Sequence, residues 1–116
     1  MDVDLCKERA LIGGRWLDDN HWLHVDNSAA GEILGVVPSL GRAEPAALFD
    51  AAPTAFPPWR RVPAAEGAAL LERWFALIVE ATADLARLLT LEHCKPRVDA
   101  RNEVTYGATF MRWLAG

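Results

Sequence analysis

The closing segment of the sequence, residues 97–115, distributes apolar side chains around most of the circumference of a helix. One stripe at helical spacing contains Val104, Gly107, Ala108, Met111 and Leu114. A second stripe beside it contains Tyr106, Phe110 and Trp113, and the remaining polar strip contains Arg101, Thr105, Thr109 and Arg112. Such a helix must be covered on most sides. We expect the rest of this chain to be too small to cover it, so that an exposed patch marks a missing partner.

Length and charge narrow the classes of protein to which the chain can belong. Its 116 residues are enough for one small domain, and 52% hydrophobic with 24% charged residues is typical of a folded chain. The formal net charge is −4, and the 12 basic residues are scattered along the chain. A phosphate backbone is bound by clustered positive charge, so we do not expect nucleic acid as a partner.

The sequence carries no targeting signal that we can identify. Its start, MDVDLCKERA, has acidic residues where a signal peptide has a positive flank, and no apolar run approaches the roughly 18 residues of a membrane span. Two cysteines, Cys6 and Cys94, are too few for a disulfide framework and fit a reducing compartment, although one bridge between them stays open. We expect a cytoplasmic protein without membrane contact.

The residue pattern changes near residue 40. Before it, short apolar runs alternate with Gly, Asn and Asp, which predicts three or four short antiparallel strands with turns at 13–14, 18–20 and 30–31. After it, Ala, Leu and Arg dominate and the apolar spacing lengthens to three and four, which predicts helices. The expected fold class is α+β, with a small N-terminal antiparallel sheet or hairpins over 1–40 and about four helices over 41–116.

The first predicted helix covers about 42–56 and contains two prolines. Pro45 is tolerable in a first turn, whereas Pro53 is expected to kink or end the helix. The FPPW sequence at 56–59 predicts an extended linker.

Two further helices are expected before the closing segment. The second begins near Ala64, with an apolar stripe of Leu70, Leu71, Trp74, Phe75, Leu77 and Ile78. Its polar face consists of Glu66, Glu72, Arg73 and Glu80. Thr82 is a plausible N-cap of a third helix, which Lys95 and Pro96 end.

The stretch LEHCKP, residues 91–96, is the strongest candidate for catalytic chemistry. Neighbouring helical residues point about 100° apart, so His93 and Cys94 cannot face each other within one helix as base and nucleophile. At a helix end they can approach, and Lys95 can lower the pKa of a nearby thiol. No third group that would orient a base is evident, so a structural thiol is the preferred interpretation.

Other candidate sites are weaker. His21 and His24, with Cys6 or Cys94, lack a second pair at zinc-ligand spacing. The glycines of IGG and GEILG do not follow the strand, Gly-rich loop and helix order of a phosphate cradle, and we interpret them as turn residues. The five tryptophans are interpreted as core or subunit contacts.

The amino-acid sequence of several segments resembles the N-terminal part of the NAD(P)-dependent aldehyde dehydrogenases, and most of all their succinate-semialdehyde dehydrogenase branch. The similar segments cover nearly the whole chain in the family's order: LIGGRW (11–16), NSAAGEILGVVP (27–38), AFPPWR (55–60), ERWFALI (72–78), DLARLLTLE (84–92), CKP (94–96) and ARNEVTYGATFMRWLA (100–115).

This resemblance implies a chain without its own catalytic or cofactor-binding residues. A full family member is several times longer, and its nucleophilic cysteine, glutamate base, oxyanion-holding asparagine and nicotinamide contacts follow the region represented here. Cys94 occupies the position of the glycine that precedes Lys-Pro in the family, so it is not the catalytic thiol. We therefore expect no catalytic, cofactor-binding or metal-binding residue in 1–116, which would form a single incomplete domain and be inactive alone.

Two interpretations of the function stay open at this point. The first is a truncated or fragmentary dehydrogenase, whose parent activity is NAD(P)-dependent oxidation of succinate semialdehyde, or a related aldehyde, to the acid. Its partner would be the remainder of such an enzyme. The second is a helical interaction module that self-associates through the apolar helix 97–115. The chain departs from the family pattern at Ser28, Cys94 and Asn102, and at Pro53 and Gly67, where the family has good helix formers. These departures fit both drift in a remnant and ordinary divergence in a longer enzyme.

Overall fold

A computed structural model describes residues 5–18 and 21–116. The described elements follow one another in the order β1 (Ala10–Ile12), β2 (Arg15–Leu17), β3 (Trp22–Asp26), β4 (Ile33–Pro38), α1 (Ala43–Trp59), α2 (Ala64–Glu80), α3 (Thr82–His93) and α4 (Arg97–Ala115). The α+β class, with strands before residue 40 and four helices after it, is confirmed.

The strands form two separate antiparallel hairpins, β1–β2 and β3–β4, within the described ranges. Gly13 and Gly14 connect the first hairpin with φ values of 58° and 75°, the left-handed pair that a tight two-residue hairpin turn requires. In the second hairpin Gly31, with φ of 70°, donates its N–H to the Asn27 carbonyl at 2.7 Å. Two of the three predicted turns are thus confirmed, and the third falls on Asp19 and Asn20, outside the described residues.

Helix α1 departs from the sequence prediction in its proline region. It runs from Ala43 to Trp59 and includes Pro53, Pro57 and Pro58. Pro53 therefore does not end the helix, and the predicted extended linker at 56–59 is wrong. Each proline removes one intrahelical donor. Most described side chains of α1 are exposed, so water can hydrogen-bond the carbonyls that lose a partner, and the helix continues at a cost in stability.

Helix α4 packs against α2 and α3, and the buried apolar positions of α3 and α4 hold very small side chains. Ala100 and Ala108 are the buried positions of α4, and Ala86 is a buried position of α3. On α2, Leu71, Phe75 and Ile78 are half-buried at helical spacing, and the Phe75 ring lies under Arg112 of α4. Small side chains at these positions let the helix backbones approach closely.

The junction between α2 and α3 corrects the predicted cap. The residue that precedes α3 is Ala81, and Thr82 is already helical. The Thr82 hydroxyl donates to the Ile78 carbonyl at 3.1 Å, a bond back to the preceding turn that a buried threonine commonly makes. Because Thr82 is buried within α3, its hydroxyl satisfies a carbonyl of α2 instead of capping the amide groups of α3.

The chain is flat and extended for its length. Its dimensions are 49 × 35 × 19 Å and its radius of gyration is 16.8 Å, whereas a compact domain of this length has about 13 Å. The accessible surface is 8854 Å², compared with about 6,300 Å² for a folded monomer of the same mass. The structure therefore leaves in water a large area that a compact protein of this size would bury.

Candidate functional site

The segment that contains Cys94 is a sharp connection between α3 and α4. Cys94 has φ of 51° and ψ of 21°, the left-handed conformation that strongly favours glycine after a helix. The next helix begins after Pro96, whose extended backbone (φ −54°, ψ 139°) fits a helix start. The conformation at Cys94 reverses the chain so that α4 packs back against α3.

Among the residues that the structure describes, the groups next to Cys94 do not form a base and nucleophile pair with its thiol. Lys95 pairs with Glu103 of α4, so its ammonium group is directed to a carboxylate and not to the sulfur. In the described part of the chain, the Cys94 side chain is exposed and no base hydrogen-bonds to it. The arrangement supports a structural role for this residue and offers no nucleophile with an oriented base.

The turn of the second hairpin, β3–β4, hydrogen-bonds to the end of α3, next to Cys94. The Ser28 amide donates to the Leu91 carbonyl at 3.2 Å, and the Ser28 hydroxyl donates to the Glu92 carbonyl. These two bonds satisfy carbonyls at the end of α3 that have no partner within the helix. The hairpin turn and the helix end thus form one structural unit, to which Ser28 contributes both contacts.

The histidines predicted as possible metal ligands lie at different points of the second hairpin, His21 before β3 and His24 in the middle of it, where it pairs with Val36. The His21 carbonyl accepts a bond from the Ser39 amide at 2.8 Å. Among residues 5–18 and 21–116, no three His, Cys, Asp or Glu side chains come together as a metal site.

The glycines of IGG and Gly31 of GEILG are turn residues, as predicted, whereas the prediction is wrong for Gly35, which lies in a strand. Gly13 and Gly14 turn β1 into β2, Gly31 belongs to the turn before β4, and Gly35 lies within β4. A dinucleotide pyrophosphate is bound where a Gly-rich loop leads from a strand into a helix N-terminus. The turns at Gly13–Gly14 and Gly31 do not form such a cradle, because each connects one strand to the next.

A small cleft of about 140 Å³ separates residues 5–8 from β4 and α3. Its walls are largely apolar and include Leu34 and Leu88. The Glu8 carboxylate at its rim accepts the Val36 amide of β4 at 3.3 Å. Glu8 therefore takes the place of a neighbouring strand at that point of the sheet edge, which is a structural role.

An exposed apolar surface with no assigned role is the outer stripe of α4, which we define as Tyr106, Phe110, Trp113 and Leu114. These four residues are exposed. Val98 of the same helix is exposed too, but it lines a cleft with Ala83 and Ala86 of α3. Tyr106 and Phe110 contact each other edge to face, with ring centroids 5.1 Å apart. The predicted second stripe of Tyr106, Phe110 and Trp113 is thus an exposed apolar face, with Leu114 beside it.

The predicted first stripe of α4 is confirmed in part. Ala108 is buried and Val104 and Met111 are half-buried, whereas Gly107 and Leu114 are exposed. Arg112 was assigned to a polar strip, but its guanidinium lies over the Phe75 ring of α2, 5.4 Å from the centroid, within cation–π distance.

Helix α2 carries a comparable face that the sequence analysis did not separate from its packing face. The outer stripe of α2, defined as Leu70, Trp74 and Leu77, is exposed. The inner residues Leu71, Phe75 and Ile78 follow at a shift of one position and pack. The sequence does indicate two faces, because the apolar residues of α2 come in adjacent pairs, and a stripe two residues wide is too broad for one helix contact. No helix in the described ranges is both long and apolar enough to cross a bilayer.

Comparison with known proteins places this geometry in a family. A family model described as the aldehyde dehydrogenase family matches residues 16–116. The chain belongs to the aldehyde dehydrogenase family. The resemblance drawn from the sequence is therefore confirmed.

Semialdehyde dehydrogenases are among the relatives that the chain matches. It is 45% identical to a glutarate-semialdehyde dehydrogenase of Pseudomonas putida and 46% identical to the NADP(+) succinate-semialdehyde dehydrogenase of Escherichia coli. Each match covers 98% of this chain and 24% of the relative. A crystal structure of an E. coli NADP-dependent enzyme superimposes with a TM-score of 0.94 at 46% identity, over the same shares of the two chains. The chain spans about a quarter of the length of these relatives.

Proposed function

We propose that this chain is the N-terminal structural part of an NAD(P)-dependent semialdehyde dehydrogenase. The parent reaction would oxidise succinate semialdehyde, or a related aldehyde such as glutarate semialdehyde, to the acid with NAD or NADP as hydride acceptor. The observation that carries this proposal is the 45–46% identity to two semialdehyde dehydrogenases over 98% of the chain and 24% of each relative.

The role that we propose for the chain itself is scaffolding and not chemistry. By resemblance, the nucleophile, the base and the nicotinamide contacts belong to the part of the enzyme that this chain does not span. The exposed Cys94, without a base bonded to it in the described residues, supports this division. We predict that the isolated 116-residue chain neither oxidises semialdehydes nor binds the cofactor.

A turnover assay tests the predicted inactivity. Purified chain is mixed with succinate or glutarate semialdehyde and with NAD or NADP, and reduced cofactor is followed by absorbance. The E. coli succinate-semialdehyde dehydrogenase serves as the positive control. We expect no signal above the rate without protein. Aldehyde-dependent cofactor reduction that disappears in a Cys94→Ser variant would contradict the proposal.

A chimaera tests the scaffolding role directly. The matching N-terminal quarter of the E. coli enzyme is replaced by this chain, and we expect semialdehyde oxidation to be retained with an unchanged preference between the two aldehydes. The matched control carries Ala100→Asp as well, which places a charge at a position that is 0% exposed and should abolish folding. A folded chimaera without activity would refute the proposed role.

The second candidate is a helical interaction module derived from the same fold. The outer stripe of α4 favours it, because a set of aromatic and aliphatic side chains of this breadth is typical of a binding surface. For both candidates we propose a cytoplasmic location, which the two free, exposed cysteines support, since exposed thiols persist in a reducing compartment.

A further inference from the structure

The exposed surface of the chain is larger than a single contact with a second copy would cover. Its accessible area of 8854 Å² exceeds that of a compact monomer of this mass by about 2,500 Å². A standard protein–protein contact buries about 800 Å² on each partner, which is roughly a third of this excess. The excess therefore fits a partner that is larger than this chain and packs on more than one of its faces.

The matched relatives contain a segment of the required size. The chain superimposes on the E. coli NADP-dependent enzyme with a TM-score of 0.94, over 98% of its own length and 24% of that chain. About three quarters of that enzyme therefore lie outside the superimposed part. Because the two backbones are so similar, the helices of this chain present the same faces to their surroundings as the matching helices of that enzyme.

The outer stripe of α4 is the exposed face best suited to contact with such a segment. Trp113 is 77% exposed, Tyr106 67% and Leu114 59%. Tryptophan and tyrosine contribute more often than other residues to the centre of protein contacts. The Tyr106 ring already packs edge to face against Phe110, so part of the stripe is ordered before any partner covers it.

Two charged side chains beside this stripe are engaged within the chain. The Glu103 carboxylate pairs with Lys95, and the Arg112 guanidinium lies over the Phe75 ring of α2. A charge without a partner opposes burial of the surface around it. Because both groups already have a partner, covering the stripe costs less in desolvation.

From these features we propose that the outer stripe of α4 is the surface on which the remaining three quarters of a semialdehyde dehydrogenase pack, within one subunit. This inference rests on the function proposed above, to which it adds the contact surface. The occupant is the part of such an enzyme that lies outside the match with this chain, and not a second copy of the chain.

Thiol labelling in the chimaera described above tests this inference. Leu114→Cys is introduced into the isolated chain and into the chimaera, and the labelled peptide is identified by mass spectrometry. We expect the thiol to react rapidly in the isolated chain, where Leu114 is exposed. In the chimaera its labelling should be slower on the order of tenfold or more, because a covered thiol reacts only when the structure opens locally.

The matched control is Glu72→Cys, on the polar face of α2, where the side chain is also exposed. Its labelling rate should differ by less than about twofold between the isolated chain and the chimaera, since access to the thiol is the same in both. A control that is slowed as much as Leu114→Cys would show general protection in the chimaera and would contradict a contact specific to the stripe.

Three further outcomes would overturn the inference. The first is a Leu114→Cys thiol that stays reactive in a folded chimaera. The second is protection in the isolated chain that rises with its concentration, which assigns the stripe to a second copy. The third is protection in the chimaera that disappears on dilution, which assigns the stripe to a contact between subunits.

The inference and the proposed function fail separately. An active chimaera in which the Leu114→Cys thiol remains reactive contradicts the contact surface and leaves the scaffolding role intact. A folded, inactive chimaera in which that thiol is protected contradicts the scaffolding role and supports the contact surface. A chimaera that does not fold contradicts both, because the stripe then does not match the rest of the enzyme.

Discussion

Replacement of Cys94 by glycine should stabilise the chain, because Cys94 has a backbone conformation that suits a residue without a Cβ atom. Its φ of 51° and ψ of 21° lie in the left-handed region, which costs a residue with a side chain about 1–2 kcal/mol. Glycine avoids that cost, but it loses about 0.5–1 kcal/mol more backbone entropy on folding. The expected net gain is about 0.5–1 kcal/mol.

This gain is large enough to measure. At about 2.1 cal/mol/K of unfolding entropy per residue, a chain of this length should gain about 2–4 °C in Tm. The assay is thermal unfolding followed by circular dichroism at 222 nm, with both proteins at one concentration so that self-association contributes equally. Urea unfolding of the same pair gives an independent free energy of unfolding.

A Cys94→Ala variant separates backbone strain from loss of the thiol. Alanine removes the sulfur and keeps the Cβ atom, so it should not share the stabilisation. If alanine raises the Tm as much as glycine does, the thiol and not the backbone is responsible. A glycine variant less stable than the parent chain would refute the reasoning, and would mean that the Cys94 side chain contributes contacts worth more than the strain.

Three further substitutions test the helices, each by thermal unfolding with circular dichroism. Gly67→Ala in α2 should stabilise by about 1 kcal/mol, since nothing lies within 4 Å of the added Cβ; an unchanged Tm would indicate that α2 is frayed there. Pro53→Ala should restore a helical N–H within α1 and stabilise by up to about 3 kcal/mol, with more helical signal; a lower Tm would contradict our account of α1. Ala100→Leu should destabilise by about 1–3 kcal/mol through overpacking, because Ala100 is 0% exposed; Ala69→Leu on the exposed face of α2 is its control.

The elements that the sequence predicted well are those with a clear period. Helix α4 begins and ends where the apolar pattern of 97–115 does, and α2 begins at Ala64 as expected. The turn at Gly13 and Gly14 was readable because few other residues adopt two successive left-handed conformations. Local chemistry determines these features, so a single sequence is enough to find them.

The sequence predictions that were wrong concern residues at which solvent exposure or tertiary contacts outweigh the local conformational preference. Prolines at 53, 57 and 58 are tolerated in α1 because that helix is largely exposed. Thr82 is displaced from the cap position because its hydroxyl finds a carbonyl of α2. The separation of inner and outer stripes on α2 depends on where α4 packs, which periodicity alone does not specify.

For the candidate site, the sequence mainly argued against catalytic chemistry at Cys94. The sequence favoured a structural role for Cys94, and the left-handed backbone at this residue, flanked by a Lys95 directed to Glu103, supports that interpretation. The apolar face of α4 was recognised from Tyr106, Phe110 and Trp113 before the fold was known. The sequence does not identify the molecule or segment that covers this face, since an apolar stripe carries no information about what packs on it.

The buried alanines have a consequence for how this chain tolerates mutation. Because its interior positions, such as Ala86, Ala100 and Ala108, hold the smallest side chains with a Cβ, enlarging them should disrupt the helix contacts, whereas the large residues around them are mostly exposed. In a survey of all single substitutions, the effect of each substitution on the isolated chain should therefore differ from that in an ordinary globular protein: changes at small buried residues should be the harmful ones, and changes at large apolar residues should be tolerated. Polar replacement of its largest apolar residues would improve its yield and solubility, and the same replacements would be harmful in any assembly that covers those surfaces. A comparison of the two profiles, position by position, would map the contact surface without a structure of the complex.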